Sequence, residues 1–474
     1  MSAPRPRVLM ICAHPPSVDP RIAWEAGSAS REFDVTVLGF ASSDGTMPPP
    51  TEPSPYRIVR LPYAPRSPIS YFRWFASVVS PIEKAALVVA GAVVLPIFAL
   101  AKAILLFLRL LLGDGRATRL IPENLRRIFY IVGNLRFQFA PATVSFWSYI
   151  RSMPEKPDVV HCNDLDTLLV GVLARRHYGT RVVFDAHEFF PVSDSLCRPL
   201  DIAFFTAIEK RLIVQADAVV TVNPLLAEAM RKVYALPCVH SVPNAEPWVE
   251  REVGTTTVSP LDALAPGRVK FLFQGRFAAE RGIREMIEGF AHVDHRKAAL
   301  FLRGPDNAWR QEAEALTTKL GLLGHSVYFL EPVGEDELVG AAAQADVGII
   351  PYKPAALNER LACPNKLSQY LHAGLLVMTN DLPYVRSVLN EAEAGLWYRS
   401  EDLTTFAAAV QRIVDDPEFL RRGKENARRF AQKQFNWQRF APTLHRLYRG
   451  AEPRAQEPSD ELVLSSAPGS LREH

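Results

Sequence analysis

Short apolar runs rich in valine, isoleucine and phenylalanine recur along this chain, separated by longer stretches with helical periodicity. In the first half they are RVLMICA, DVTVLGF, DVVHCND, RVVFDAH and AVVTVN, with helical patterns such as TLLVGVLARRHYG, from Thr167, between them. A second series follows: VKFLFQG, AALFLRG, SVYFLEP, VGIIPY and LLVMTND. Runs apolar on both faces suit parallel strands, and parallel strands require crossover connections, usually helical. The pattern predicts an α/β chain of two doubly wound domains, residues 1–248 and 267–450, with a linker at 249–266. The polar, aperiodic end at 451–474 is expected to be disordered.

The formal charge of +3 over 474 residues gives no argument for nucleic acid as a partner. Its distribution is uneven. Between Arg57 and Arg151 stand about 13 lysines and arginines against three acids, Glu83, Asp114 and Glu123. The five cysteines are scattered without a C-x-x-C pair, which predicts neither a disulfide framework nor a zinc knuckle. The start, MSAPRPRVLMICAHPP, reads as a first buried strand rather than a signal peptide, so a cytoplasmic protein is expected.

One segment departs from this picture. EKAALVVAGAVVLPIFALAKAILLFLRLLLG, Glu83–Gly113, lies inside the first domain, in an expected hydrophobic, basic helical insert over about 64–150. Its uninterrupted apolar part, Ala85–Ala101, would be roughly 26 Å long as a helix and cannot cross a bilayer and return. Both ends must lie on one side of a membrane. A hairpin bent near Pro96, or a segment paired with the aromatic stretch Ile128–Ile150, would dip shallowly into an anionic surface. An extra helical hairpin packed on its own domain is the alternative.

Chemistry concentrates at predicted strand ends. In FQGRFAAERGIREMI, Gly275 follows a strand and Arg276 and Arg281 bracket a turn before a helix, an arrangement suited to a diphosphate. In ACPNKLSQYLHAG, Asn365 stands at a helix start and Lys366 in its first turn, where a cation asks for a compensating anion. Read structurally, Asn365 is merely an N-cap and the arginines are solvated. His187 ends a strand in DAHEFFP beside Glu188, and is either a site histidine or one satisfied in the core. Asp19 and Arg21 in HPPSVDPR are weaker acceptor-side candidates, since Asp-Pro is also an ordinary turn. Asp164 and Asp166 could hold Mg²⁺, but an N-cap at Asp166 is more economical, and no metal is expected. No G-x-G-x-x-G follows a predicted strand, which argues against a nicotinamide enzyme.

These segments, with VTVN, VPNAEP, LRGPDN and ADVGIIPY in the same order, resemble the glycosyltransferase family 4 group of retaining GT-B enzymes. The resemblance implies two Rossmann-like domains facing across a cleft, and transfer of a sugar from a nucleotide-diphosphate donor without cofactor or obligatory metal. Arg276, Arg281, Asn365 and Lys366, with Gly275, match the donor-binding positions, Arg281 standing where lysine is more usual. His187 matches the active-site histidine that contacts the donor sugar. Gln369 occupies a position usually held by a glutamate that binds the ribose, and Leu361 stands where its partner glutamate would be. A lipid-linked or glycan acceptor at the inner membrane face, in surface polysaccharide or glycolipid synthesis, is the leading expectation, with a peripheral or monotopic protein. A GT-B nucleotide-sugar epimerase and a non-catalytic sugar-nucleotide-binding scaffold are the rivals.

Overall fold

The structure is a computed structural model that describes residues 4–41, 54–63, 70, 130–131, 134–193, 198–250, 259–353, 356–400 and 402–451. The apolar run Glu83–Gly113 lies outside the described residues, as do 251–258 of the expected linker and 452–474 of the expected tail.

Two parallel sheets carry the fold. The first contains β1 (Arg7–Ile11), β2 (Asp34–Phe40), β3 (Arg57–Leu61), β4 (Val159–Asn163), β5 (Arg181–Ala186), β6 (Ala218–Thr221) and β7 (His240–Ser241), ordered β3-β2-β1-β4-β5-β6-β7. The second contains β8 (Val269–Gln274), β9 (Ala298–Arg303), β10 (Val327–Leu330), β11 (Val347–Ile350), β12 (Leu376–Thr379) and β13 (Gly395–Trp397), ordered β10-β9-β8-β11-β12-β13. All ten runs read from the sequence are strands. Three strands were hidden: β3 carries Arg57 and Arg60 in an RIVRL pattern that is only half buried, while β7 and β13 span two and three residues.

Contacts divide the chain into two compact units, residues 1–19, 29–191 and 196–219 in one, and 20–28, 192–195 and 220 onward in the other. This partition sends the helix Pro20–Ala29 largely to the second unit, where the sequence boundary of 248 had placed it in the first. Trp437 explains the assignment: its indole Nε1 donates to Ser28 Oγ at 2.9 Å, and its ring lies 6.2 Å from that of Trp24.

In each sheet the winding reverses between two adjacent strands, β1 and β4 in the first, β8 and β11 in the second. At such a reversal the loops leaving the two strands run to opposite sides of the sheet, and the crevice between them is the usual ligand position in doubly wound sheets. The exits of β8 and β11 carry Gly275–Arg281 and Pro351–Lys353; those of β1 and β4 carry the turn to Asp19 and the Asn163–Asp166 corner. In-register pairing of β8 with β9, from Val269↔Ala298 to Gln274↔Arg303, sets two polar strand ends side by side.

The expected insert does not extend to 150. Ala140–Ser152 is a helix whose Val144, Phe146, Trp147 and Ile150 are buried, and Phe139 stacks on Phe205 at 5.7 Å. Apolar side chains with such partners belong to the domain core, so this part of the aromatic stretch is not free to enter a lipid surface. Among the described residues no helix is long and apolar enough to cross a membrane.

Candidate functional site

The second unit gathers four cations near the β8/β11 crevice. Lys366 lies in the first turn of the helix Asn365–Ala373 and is only 8% exposed. Its Nζ donates to the Tyr352 hydroxyl at 3.2 Å and sits 5.2 Å from the centres of the Tyr352 and Phe273 rings. Arg281 stacks on the same Tyr352 ring at 4.2 Å. Burial, with Arg281 nearby, holds the Lys366 pKa below the ordinary lysine value despite the tyrosine. Burial would raise the Tyr352 pKa, but the Lys366 and Arg281 charges outweigh it and lower it.

The backbone makes room for this cluster. Gly275 has φ +134°, and Gly282 has φ +60° with the Pro351 carbonyl where a Cβ would be, at 1.9 Å. The helix Asn365–Ala373 starts at Pro364 without a side-chain cap. Asn365 is therefore the first helical residue and not the cap, and it stands with Lys366 at a helix N-terminus, where backbone N–H groups suit an anion.

Arg276 is different in kind. Its side chain is 67% exposed and pairs with Glu280 at 3.1 Å, a carboxylate that also lies 3.7 Å from Arg281 Nε. Gln369 is buried, its Oε1 accepting from Gln274 Nε2 at 3.1 Å. Gln274 in turn accepts at its own oxygen from Arg303 Nη1 at 3.4 Å. Sequence reasoning missed Tyr352, Gln274 and Arg303, although all three sit at or just beyond strand ends. Arg303 is 6% exposed and has no carboxylate partner among the described residues; burial lowers its pKa. Lys366 and Arg303 are thus two buried cations without acidic partners among the described residues, an arrangement that would suit a negatively charged ligand.

The first unit holds a histidine cluster. β5 delivers His187, whose Nδ1 lies 2.9 Å from Asp19 Oδ2 and whose Nε2 lies 3.0 Å from Asn163 Oδ1. Asn163 Nδ2 donates to the Ile11 carbonyl at 3.1 Å, which fixes the amide so that its oxygen faces the ring. Both ring nitrogens therefore donate, and the ring is an imidazolium. Burial alone would lower the His187 pKa, but Asp164 and Asp19 raise it to about 10. His187 is thus a fixed cation, not a proton acceptor near neutral pH. Glu188 beside it is half-buried.

Neither carboxylate of the Asn163–Asp166 corner caps the helix Leu165–Tyr178. Asp164, at φ 62°, is the N-cap residue but its Oδ1 accepts from the His187 backbone N–H at 3.1 Å. Asp166 falls in the first turn and accepts from Gln138 Nε2 at 3.0 Å. Burial, then Asp164, raises its pKa to about 7.

The Arg21 side chain is held in packing and is not open to a ligand. It is 1% exposed, paired with Glu25 at 3.0 Å, and donates to the Val242 carbonyl at 2.7 Å and Asn244 Oδ1 at 3.1 Å. Arginine reaches such partners because its five donors fan out in a plane, so within the Asp-Pro-Arg turn Arg21 serves packing while Asp19 faces His187.

Comparison with known proteins agrees with this architecture. Residues 268–416 match the family model described as "Glycosyl transferases group 1", and residues 24–245 the "Glycosyl transferase 4-like domain". A glycogen synthase of Mycobacterium tuberculosis is 22% identical over 330 residues, covering 65% of this chain and 72% of that one. Among solved structures, a sucrose-phosphate synthase from Thermosynechococcus elongatus superposes with a TM-score of 0.62 at 18% identity, covering 94% of this chain and 98% of that one. Anabaena HepE in complex with UDP-glucose gives a TM-score of 0.62 at 14% identity, covering 92% and 99%. With both parts of the chain matched in order and the fold shared, this chain is a GT-B glycosyltransferase belonging to the group 1, family 4 glycosyltransferases.

Proposed function

We propose that the enzyme transfers a sugar, with retention of anomeric configuration, from a nucleoside-diphosphate sugar to a lipid-linked or glycan acceptor at the cytoplasmic face of a membrane, in surface polysaccharide or glycolipid synthesis. The observation that carries the donor assignment is Lys366: a buried ammonium on an uncapped helix start, without a carboxylate partner among the described residues, and with Arg281 stacked on the same tyrosine. The UDP-glucose bound to Anabaena HepE, which shares the fold, is of the class that such a cluster would take.

As the bond between the anomeric carbon and the diphosphate oxygen breaks, negative charge grows on the leaving group. Lys366 and Arg281 stabilise it, with Arg276 contributing from the rim; a donor of this kind is worth about 10²-fold or more in rate. The acceptor hydroxyl attacks the same face and passes its proton to the departing diphosphate, which leaves as the nucleoside diphosphate. The imidazolium of His187, held by Asp19, supplies fixed positive charge and hydrogen-bonded geometry rather than base catalysis. The three cations supply charge that a divalent ion would otherwise provide. Support for a membrane acceptor comes from the sequence, in the excess of cations around the apolar run Glu83–Gly113.

The test incubates purified full-length protein with UDP-, GDP- and dTDP-sugars, with and without polyprenyl phosphates and membrane lipid extract, following labelled sugar and the anomeric signal by NMR. Transfer with retention that Lys366→Ala abolishes supports the reading. Donor isomerisation without acceptor would replace it with an epimerase, and binding without turnover with a scaffold. Sedimentation with anionic vesicles checks the membrane half independently.

A further inference from the structure

Pro351 and Lys353 flank Tyr352, yet they line a cavity to which Tyr352, Arg281 and Lys366 do not contribute. Its volume is about 310 Å³, and Gly282, Glu285, Asn380, Tyr398, Ser400 and Phe406 line it as well. Asn380 is 3% exposed. Its Nδ2 donates to the Tyr352 carbonyl and to Ser400 Oγ, the latter at 2.9 Å. The carbonyl can only accept, so the amide cannot turn over, and Oδ1 is left buried without a partner among the described residues. Glu285 repeats the situation: one carboxylate oxygen pairs with Lys353 Nζ while Oε2 is buried without a partner among the described residues.

The cavity is therefore short of hydrogen-bond donors, not of charge. Lys353 already has Glu285, and the Asp402 carboxylate already accepts from the Thr404 and Thr405 backbone N–H groups. Neither an anion nor a cation is called for. Hydroxyl groups are, since each can donate to a waiting oxygen and accept from Ser400. The Tyr398 and Phe406 rings, edge to face at 5.1 Å, add an apolar side suited to the C–H face of a ring. The volume falls at the small end of ligand pockets.

We propose that this cavity is a second binding site, separate from the donor cations, for a neutral hexopyranose unit. Free sugar and the end of a glycan chain share that chemistry. The site is indifferent to whether the donor assignment is correct, because it shares no polar side chain with Lys366, Arg281 or Arg276.

Full-length protein is titrated with D-glucose, maltose and glycerol by saturation-transfer NMR, each with and without saturating UDP. The expected result is saturable binding of a sugar near about 1 mM, the affinity of roughly −4 kcal/mol ordinary for one small ring, unaffected by UDP. Glucose binding identifies free sugar as the source; binding of maltose alone identifies a chain end. Leu403 also lines the cavity and is half-buried, so Leu403→Trp, which fills the space, and Asn380→Ala, which removes the acceptor, should each weaken binding at least tenfold. No saturable sugar binding, glycerol binding alone, loss of the signal on adding UDP, or unchanged affinity in both folded variants overturns the proposal. If either variant fails to fold, the UDP arm on the wild type and the other variant decide.

Discussion

The Lys366 ammonium occupies the space that a side chain at Gly275 would need: a Cβ there would stand 2.6 Å from Nζ and 2.9 Å from Cε. Glycine at the end of β8 thus does two things, adopting φ +134° and leaving the lysine its position beside Tyr352. Gly275→Ala is expected to cost about 1–3 kcal/mol of stability through backbone strain. It should also cost far more in function, with turnover reduced about 10²-fold as Lys366 is displaced. Chemical denaturation and a transfer assay on the same preparation separate the two effects.

Lys366 trades stability for function. A desolvated ammonium with a tyrosine hydroxyl for a partner is unfavourable until an anion arrives. Lys366→Met, which keeps the volume, should abolish nucleotide-sugar turnover and raise the melting temperature by about 2–4 °C per kcal/mol gained. Thermal melts with and without UDP check it: the wild type should gain on adding nucleotide and the variant should not.

Arg21 behaves in the opposite way. Arg21→Ala breaks a buried pair and leaves the Glu25 carboxylate without this partner, so a loss of about 3–5 kcal/mol is expected. Nucleotide affinity per folded molecule should stay within experimental error of wild type. Urea titration and calorimetry with UDP measure the two quantities.

The His187–Asp19 pair makes stability depend on pH with a definite sign. The folded His187 pKa, about 10, stands above its ordinary value near 6.5. The pair's stabilisation is therefore fully present below about pH 6.5 and is lost as pH rises through about 10. Urea unfolding at pH 6, 8 and 10 should show a decline that Asp19→Asn reduces. Parallel curves for the two proteins would show that the imidazolium is not formed.

The positions of the strands were legible because a parallel strand covered on both faces leaves an uninterrupted apolar run, and ten such runs stand in the sequence. β3, β7 and β13 were not legible, being short or carrying arginine toward solvent at a sheet edge. The strand-end cations were also legible, since a lysine in the first turn of a helix contradicts the helix dipole unless something offsets it. Local pattern fails for groups whose partners are distant in sequence. Arg21 looked like a loop residue until Val242 and Asn244, some 220 positions away, were seen to accept from it.

The sequence by itself determined the order of strands and helices and the residue types at the strand ends, because periodicity and turn chemistry act over a few neighbours. Only the tertiary structure decided which of those residues share a partner. Tyr352 joins Arg281 to Lys366, and Asn163 turns His187 into a donor on both sides. The charge state of each depends on burial and on atoms within a few ångströms, which the chain brings together only when it folds.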